Sequence, residues 1–506
     1  MPTTINTNIM SLNAQLNLQS SQNSLATSLE RLSSGLQINT AADNAAGFAI
    51  AQQMTAQING INQAAQNAND GISMAQTAQG GLNAEIGLLQ SMRTLAVQAS
   101  NGTNSASDRQ AIQAQIAQLQ QELSRTALTT QFNGQNILDG TMSDAQFQVG
   151  SNAGQTINFG IANTQGSAIG NNAYSTGGAM TGATLSTTST ASGNGVTAQT
   201  LTIQGSIGTK SVSVSANETA YAIAAGVNNQ SASTGVTASA LTQAEISGLA
   251  SGGTVSFGLT GSNGTAVTIN ASVTSTSDLS AIANAINADT ASTGISAYAD
   301  QSGNLFMTQS QGYDVKITNL SDSGVTAGTI ATVKSFGTGA AATTASVASG
   351  QSATVGGQIS FESSSAYTIN SSVAGSGAGG SVLDTTSAAN TNLGSTLNAV
   401  SSIDVTTVTN GTPTGANNAI NTIDMALQTL NTVAANLGSV QNRFQDTITN
   451  LQTTSNNLSA ARSRIQDTNY AQETSNLTRS QILQQAGTAM LAQANQLPNM
   501  VLTLLK

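Results

Sequence analysis

The 506-residue chain has no cysteine, no histidine and no tryptophan. Thiolate and imidazole chemistry are therefore excluded, and with them Cys–His or Ser–His–Asp catalysis and the usual zinc sites. Without cysteine there is no disulfide framework, so the redox compartment cannot be read from the sequence. Charged residues make up only 7% and aromatics 3%. Surface helices normally carry Lys and Glu, but here Gln, Asn, Ser and Thr stand in those places. Two readings stay open: the faces are covered by neighbouring subunits, or the composition is simply biased. No basic residue precedes Arg31, so Met1 to Leu16 lacks the positive region of a secretory signal. No stretch approaches the roughly 18 apolar residues of a membrane span. The expectation is a cytosolic protein, or one exported by a route that uses no such signal.

Net charge is −10. Residues 141–405 hold eleven acids and three lysines, leaving eleven acids and nine bases for the two ends. An acidic middle argues against nucleic acid or an anionic membrane as partner. Near-neutral ends remove a repulsion that would oppose self-packing.

What is present is helical periodicity at both ends. Ile423, Leu430, Leu437, Phe444, Leu451, Leu458 and Ile465 fall seven apart, one residue per two helical turns. A helix over this span would be about 65 Å long and, with one apolar stripe, needs a partner of similar length. That partner is at the other end: Met54, Ile58, Ile61, Ala65, Ala68, Ile72 and Ala75 step by four and three, and Leu82, Ile86 and Leu89 resume the rhythm. A shorter run, Ile112, Ile116, Leu119 and Leu123, follows a cap signal at Ser107-Asp108. The alternative is an ordinary compact bundle, but seven heptad positions in succession favour a rod.

The outermost segments repeat the pattern. Ile5, Ile9, Leu12 and Leu16 lead to Leu25, Leu29, Leu32 and Leu36; a phase slip between Leu16 and Leu25 predicts two helical pieces. After Ile465 the stripe fails through Asp467–Asn476 and restarts as Leu483, Met490, Leu497 and Leu504, with Ala494 and Val501 flanking and Pro498 expected to kink it. Asn133-Gly134 and Asp139-Gly140 predict hairpins within 128–160. From about 176 to 404 the chain is rich in Gly, Ser, Thr and Ala, with period-two strands. An internal repeat stands there: Ile223 to Asn228 returns as Ile282 to Asn287, and Ala232 to Ala238 as Ala291 to Ala297, both offset by 59. Each copy reads as strand, short helix, strand, which favours folded α+β modules over low-complexity disorder. Gly-rich tracts at 335–357 and 374–380 read as loops or linkers.

The fold class is therefore multidomain: a long α-helical coiled-coil bundle built from both termini, with β-rich or α+β domains inserted between them. The division is 1–43 with 466–506 as a terminal coiled-coil domain, 44–175 with 405–465 as an inner helical domain with hairpins, and 176–404 as an outer insert.

The two ends resemble bacterial flagellin, on three stretches: Leu32 to Gly47 (LSSGLQINTAADNAAG), Leu89 to Gln98 with Gln131 to Leu138, and Ala461 to Asp467 continuing through Gln481–Gly487 to Leu491–Pro498. The resemblance covers roughly residues 1–175 and 405–506; the middle matches only in kind. It implies a structural protein with no catalysed reaction, cofactor or metal, which assembles with itself into the helical filament used for swimming. The implied assembly seams are Ile5, Ile9, Leu12, Leu16, Leu25, Leu29, Leu32, Leu36, Leu483, Met490, Leu497, Val501 and Leu504. The implied inner-bundle seam is Met54, Ile58, Ile61, Ile72, Leu430, Leu437, Phe444, Leu451, Leu458 and Ile465. Implied partners are the flagellar export apparatus and its chaperone, the filament cap and the hook-junction proteins, and the implied location is outside the cell, reached without a cleaved signal. Some members are bound by Toll-like receptor 5 through a stretch similar to Leu89–Gln98 and the helix from Asp108. Arg93 and Leu95 match it, whereas Ser91 and Gln115 replace an Arg and a Glu.

Other function classes are a hook–filament junction protein of the same system, a coiled-coil surface adhesin, and an enzyme. The last would use close carboxylates such as Asp300, Asp314 and Asp322, which read more naturally as turn residues.

Overall fold

Long helices form over the stretches that carry the heptad pattern, and the last of them continues through Pro498 rather than ending there. A computed structural model describes residues 7–504 apart from 177–182, 187, 189, 326–327, 336–343, 376–379, 385–386 and 410–411, and does not describe the side chains at 183–186 and 497–504. Ile5 and the side chains of Leu497, Val501 and Leu504 thus lie outside the described residues. Its helices are α1 Ile9–Ser34, α2 Ala45–Ala99, α3 Ala106–Thr129, α4 Ala220–Asn228, α5 Ser231–Thr234, α6 Ser280–Ala288, α7 Thr290–Thr293, α8 Thr414–Gln466 and α9 Tyr470–Leu504. The ends are helical and the middle is rich in strands, as expected.

The phase slip after Leu16 does not divide α1. Ile9–Ser34 contains no glycine or proline, so the slip changes which face is apolar without changing the backbone. Likewise the stripe fails over ten residues after Ile465, but the helical break is only 467–469. The first α3 signal was off by two: Ser105 is the N-cap, in a capping box with Asp108. The Gly-rich 335–357 tract, expected as loop, contains the strands Thr344–Ala348 and Gln351–Val355. The first alternates, with Ala345 and Val347 buried, and the second is buried from Ser352 to Val355.

The chain divides into two compact units. The first comprises Met1–Gln76, Asp144–Gly160 and Leu437–Lys506; the second comprises Thr77–Ser143 and Ile161–Asn436.

In the first unit, α1 pairs with α9, and the first part of α2 with the last part of α8. Ile61, Ala64 and Leu451 form an apolar cluster, with Leu458 against it. Phe444 is fully buried, with Phe147 5.5 Å and Phe159 6.0 Å from its ring centre, both edge-on. Those two phenylalanines come from the antiparallel pair Ala145–Gln148 and Thr156–Phe159. Gly71 lies so close that a Cβ there would stand 2.7 Å from Phe444 Cζ.

In the second unit, Leu82, Leu89 and Met92 of α2, Ile116 and Leu123 of α3, and Ile423 and Leu430 of α8 are buried. The hairpin Gln131–Phe132 with Gln135–Asn136 turns on Asn133 (φ 49°) and Gly134 (φ 76°), the primed turn that Asn-Gly favours. The two repeat copies then each build a module. In the first, Thr209–Val214, α4, α5 and Thr237–Ser247 follow one another; in the second, Val267–Val273, α6, α7 and Ile295–Ala299 do. Ile223, Val227 and Phe361 belong to one core, and Ile282, Ile286, Phe257 and Ile317 to another. Asn228 accepts from Ala238 N (2.7 Å) and donates to Ala238 O (2.9 Å). Asn287 does the same to Ala297, at 2.7 and 2.8 Å. The 59-residue offset thus preserves one side-chain clamp that fastens each helix to the strand that follows it. Strand Gly170–Ser175 leads into this region and Thr396–Ala399 leads out; the two pair antiparallel, Gly170 opposite Ala399 and Ala173 opposite Thr396.

Candidate functional site: the terminal helix pair

The α1–α9 pair is joined largely by small and polar side chains. Ser480, Gly487 and Ala494 fall seven apart on α9, and Ser480 and Ala494 are buried. On α1, Ser11 and Ser28 are buried. Ser11 Oγ donates to Asn495 Oδ1 (2.8 Å), and Asn8 Nδ2 donates to Ala494 O (2.8 Å). At Gly487 an added Cβ would stand 3.3 Å from Leu18 Cδ1. Small residues let the two backbones approach closely, with Leu18 against Gly487, and most of the larger apolar side chains are turned elsewhere.

They are turned outward. Ile9 is 60% exposed, Leu12 56%, Leu16 62% and Leu29 50%; on α9, Ile482 is 59%, Leu483 50% and Met490 63% exposed. Leu25, Leu32 and Leu36 are half-buried. The periodicity of large apolar residues marks this stripe, and Ala494 as flanking it, but does not mark Ser480 and Gly487. Their heptad spacing was the available signal, hidden because small residues do not register as apolar.

The stretch Leu32–Gly47 explains itself residue by residue. Gly35 ends α1 in the left-handed region (φ 76°), where a Cβ is disfavoured. Its carbonyl accepts from Thr468 N (2.9 Å), and Gln37 N donates to Gln466 O (2.7 Å). The breaks after α1 and after α8 are therefore fastened to each other through the backbone, with a bridge between Leu36 and Asp467. Asp43 Oδ2 accepts from Asn39 N, Thr40 N and the Thr40 hydroxyl. Those bonds, the Thr40 amide first, hold its carboxyl below the usual range. Asn44 Oδ1 accepts from Gly47 N (2.9 Å) to open α2.

Along the inner seam Ile58, Ile61, Leu430, Leu437, Phe444 and Leu451 are buried, while Met54, Ile72, Leu458 and Ile465 are half-buried. Arg93 is exposed and makes a two-point ion pair with Asp424 (2.6 and 3.3 Å). Leu95 is half-buried, Gln115 is exposed, and Ser91 Oγ donates back to Gly87 O (3.0 Å).

The three carboxylates weighed for catalysis are each occupied locally. Asp300 Oδ1 accepts from Ser302 N and Asn304 N, both at 2.8 Å. Asp322 Oδ1 accepts from Gly324 N (2.9 Å). Asp314 is buried and accepts from Asn194 Nδ2 (3.1 Å); burial pushes it up to about 6, against that bond and Lys316. Among the described residues no group of three or more His, Cys, Asp or Glu gathers to hold a metal, and no helix is long and apolar enough to cross a membrane.

Comparison with known proteins finds matches at both helical ends and at the repeat. Residues 5–143 match the bacterial flagellin N-terminal helical region, 420–505 the C-terminal helical region, and 200–250 and 254–311 the flagellin hook IN motif. The last match falls on the two repeat copies. The chain is 42% identical to B-type flagellin of Pseudomonas aeruginosa over 513 aligned positions, and 36% identical to flagellin of Salmonella rubislaw over 530, each covering all of both chains. Among solved structures, FliC from Burkholderia pseudomallei covers 74% of this chain and 99% of its own at 21% identity, with a TM-score of 0.29.

Proposed function

The chain belongs to the bacterial flagellin family, and from that premise we propose that the apolar side chains left bare on α1 and α9 are the surfaces through which its copies join. The protein is the structural subunit of the helical flagellar filament. Full-length identity to flagellins favours this over the junction-protein and adhesin readings. The family is one of structural proteins, and the further reading is that this chain catalyses nothing: its work is polymerisation.

One observation carries the assignment of the surface. Ile9, Leu12, Leu16, Leu483 and Met490 are half-exposed or more, although the same two helices bury serines against each other. A lone soluble chain gains nothing from that arrangement, because apolar area in water is unfavourable by roughly 25 cal/mol per Å². A neighbouring copy would cover it. Leu12→Ala with Leu16→Ala should leave the unfolding of the dilute chain unchanged. In the polymer each Leu lost from a buried site costs about 2–5 kcal/mol, so the critical concentration for seeded growth should rise well over tenfold. Pelleting equal to the parent would remove these residues from the interface.

The working division is the one expected from the sequence: 1–43 with 466–506 for assembly, 44–175 with 405–465 as the inner helical part, and 176–404 facing outward. Ile5, Leu497, Val501 and Leu504 are assigned to the assembly stripe by sequence spacing alone. Export by the flagellar apparatus with its chaperone, meeting the cap and hook-junction proteins, and residence outside the cell belong to the same reading. A Toll-like receptor 5 that used Arg93 and Leu95 would have to share Arg93 with Asp424. It would also meet neutral Ser91 and Gln115 where activating members carry charge, so we infer a weakened contact.

A further inference from the structure

A chain without cysteine or tryptophan has few side chains that yield an electron readily, and its six tyrosines gain weight accordingly. Two of them face each other. Tyr221, in the first turn of α4, and Tyr313, in the turn before strand Val315–Asp322, stack with ring centres 4.4 Å apart and planes 19° from parallel. Both rings are held by their backbones. Thr219 caps α4, and the Tyr221 amide, one of the donors a helix start leaves free, donates to Gly312 O (3.0 Å). Tyr313 N and Gln311 N both donate to Oε1 of the buried Gln309 (3.0 and 2.9 Å), and the adjoining Asp314 accepts from Asn194. Tyr221 is 42% exposed and Tyr313 half-buried, so a small oxidant reaches the pair.

We propose that Tyr221 and Tyr313 form an oxidative coupling site, where a peroxide acting through a one-electron catalyst of the peroxidase class joins the two rings. Each phenol gives up one electron and one proton. The two radicals couple through the ring carbons next to oxygen, and the hydrogens on those carbons move to the oxygens, restoring both phenols. The chain loses two hydrogen atoms, and hydrogen peroxide takes up the two electrons and two protons to leave two waters. The new bond straps α4 of the first module to the second module's turn, across 92 residues of chain. Other tyrosines are placed less well. Tyr298 stacks on Phe306, which has no phenol, and Tyr367 is 4% exposed.

The test is oxidation of the full-length monomer with horseradish peroxidase and hydrogen peroxide, followed by dityrosine emission, gel mobility and peptide mass mapping. The expected result is a monomeric product with dityrosine emission, one cross-linked peptide pair carrying both residues, and a mass lower by two hydrogens. Tyr221→Phe and Tyr313→Phe, which keep the stacked rings, should each lose the monomer's emission, and Tyr298→Phe should keep it. Emission that persists in either of the first two variants, that disappears in the third, or that occurs only in cross-linked dimers would overturn the assignment.

Discussion

Glu85 on α2 is fully buried, and only one of its carboxyl oxygens has a partner. Oε1 accepts from the Thr164 hydroxyl (3.0 Å), while Oε2 is buried with none. Burial pushes this acid up to about 8 from an ordinary 4.5, opposed only by the Thr164 bond. Between those values the folded chain keeps a proton that the unfolded chain has released. Its contribution is therefore greatest below the lower value, falls as pH rises, and levels off above about 8, by on the order of 1.4 kcal/mol per pH unit in between. Glu85→Gln should flatten this slope, seen as urea midpoints at about pH 5 and about pH 9 that differ less than the parent's. An equal fall in both proteins would assign the slope elsewhere. Gly71 gives a second test at this scale. Alanine in a helix interior is favoured over glycine by about 1 kcal/mol, but here its Cβ would meet Phe444 Cζ at 2.7 Å. Phe147 and Phe159 flank that ring, so it has little room to swing, and overpacking costs about 1–3 kcal/mol. Gly71→Ala should therefore destabilise, and adding Phe444→Leu should recover part of the loss in a double-mutant cycle. Additive losses would mean the two residues do not compete for space.

Helices and turns were the most legible elements. Heptads located α2 and α8 because a rod with one apolar face leaves a periodic record, and Asn133-Gly134 marked its hairpin because few residue pairs tolerate two positive φ values. Phase and glycine content misled. The slip after Leu16 suggested a break in α1 that the backbone had no reason to make, and glycine around 335–357 hid two strands. The small-residue face of α9 was illegible for a related reason: a stripe defined by Ser480, Gly487 and Ala494 is visible only once two backbones are known to meet there. The Asn clamp is the most local of the repeat's features and the easiest to test. Asn287→Ala leaves Ala297 N and O to water at an exposed site, at a cost of about 0.5–1.5 kcal/mol per bond, and Asn228→Ala should cost somewhat more in the first module, where the same bonds are partly buried. Chemical denaturation with a probe in each module would check it. Loss in one and none in the other would show that sequence equivalence does not carry energetic equivalence.

The expected division of the whole molecule came from a shift in composition, while the two compact units come from contacts, and long helices such as α2 contribute to both. That is why domain limits were harder to read than elements: a continuous helix carries no mark where its neighbours change. The insert, by contrast, is bounded by structure. Gly170–Ser175 and Thr396–Ala399 are hydrogen-bonded neighbours, so residues 176–395 can be replaced by a short turn without moving either strand far. The shortened chain should still pellet under seeding, because the exposed stripes of α1 and α9 lie outside the excised part. A deletion that folds by circular dichroism yet fails to polymerise would make the insert part of the assembly surface.

The same two strands decide how the insert bears force. Both run outward from the same end, Gly170 beside Ala399. A pull that draws the insert away from that end stretches two covalent chains side by side and splits the tension between them. It neither shears the pair nor opens it from the tip, so the hydrogen bonds between the strands carry almost none of the load. Tension on the insert is thus borne at its attachment by peptide bonds, and the mechanical weak point lies inside the insert, where sheets and clamps must resist alone.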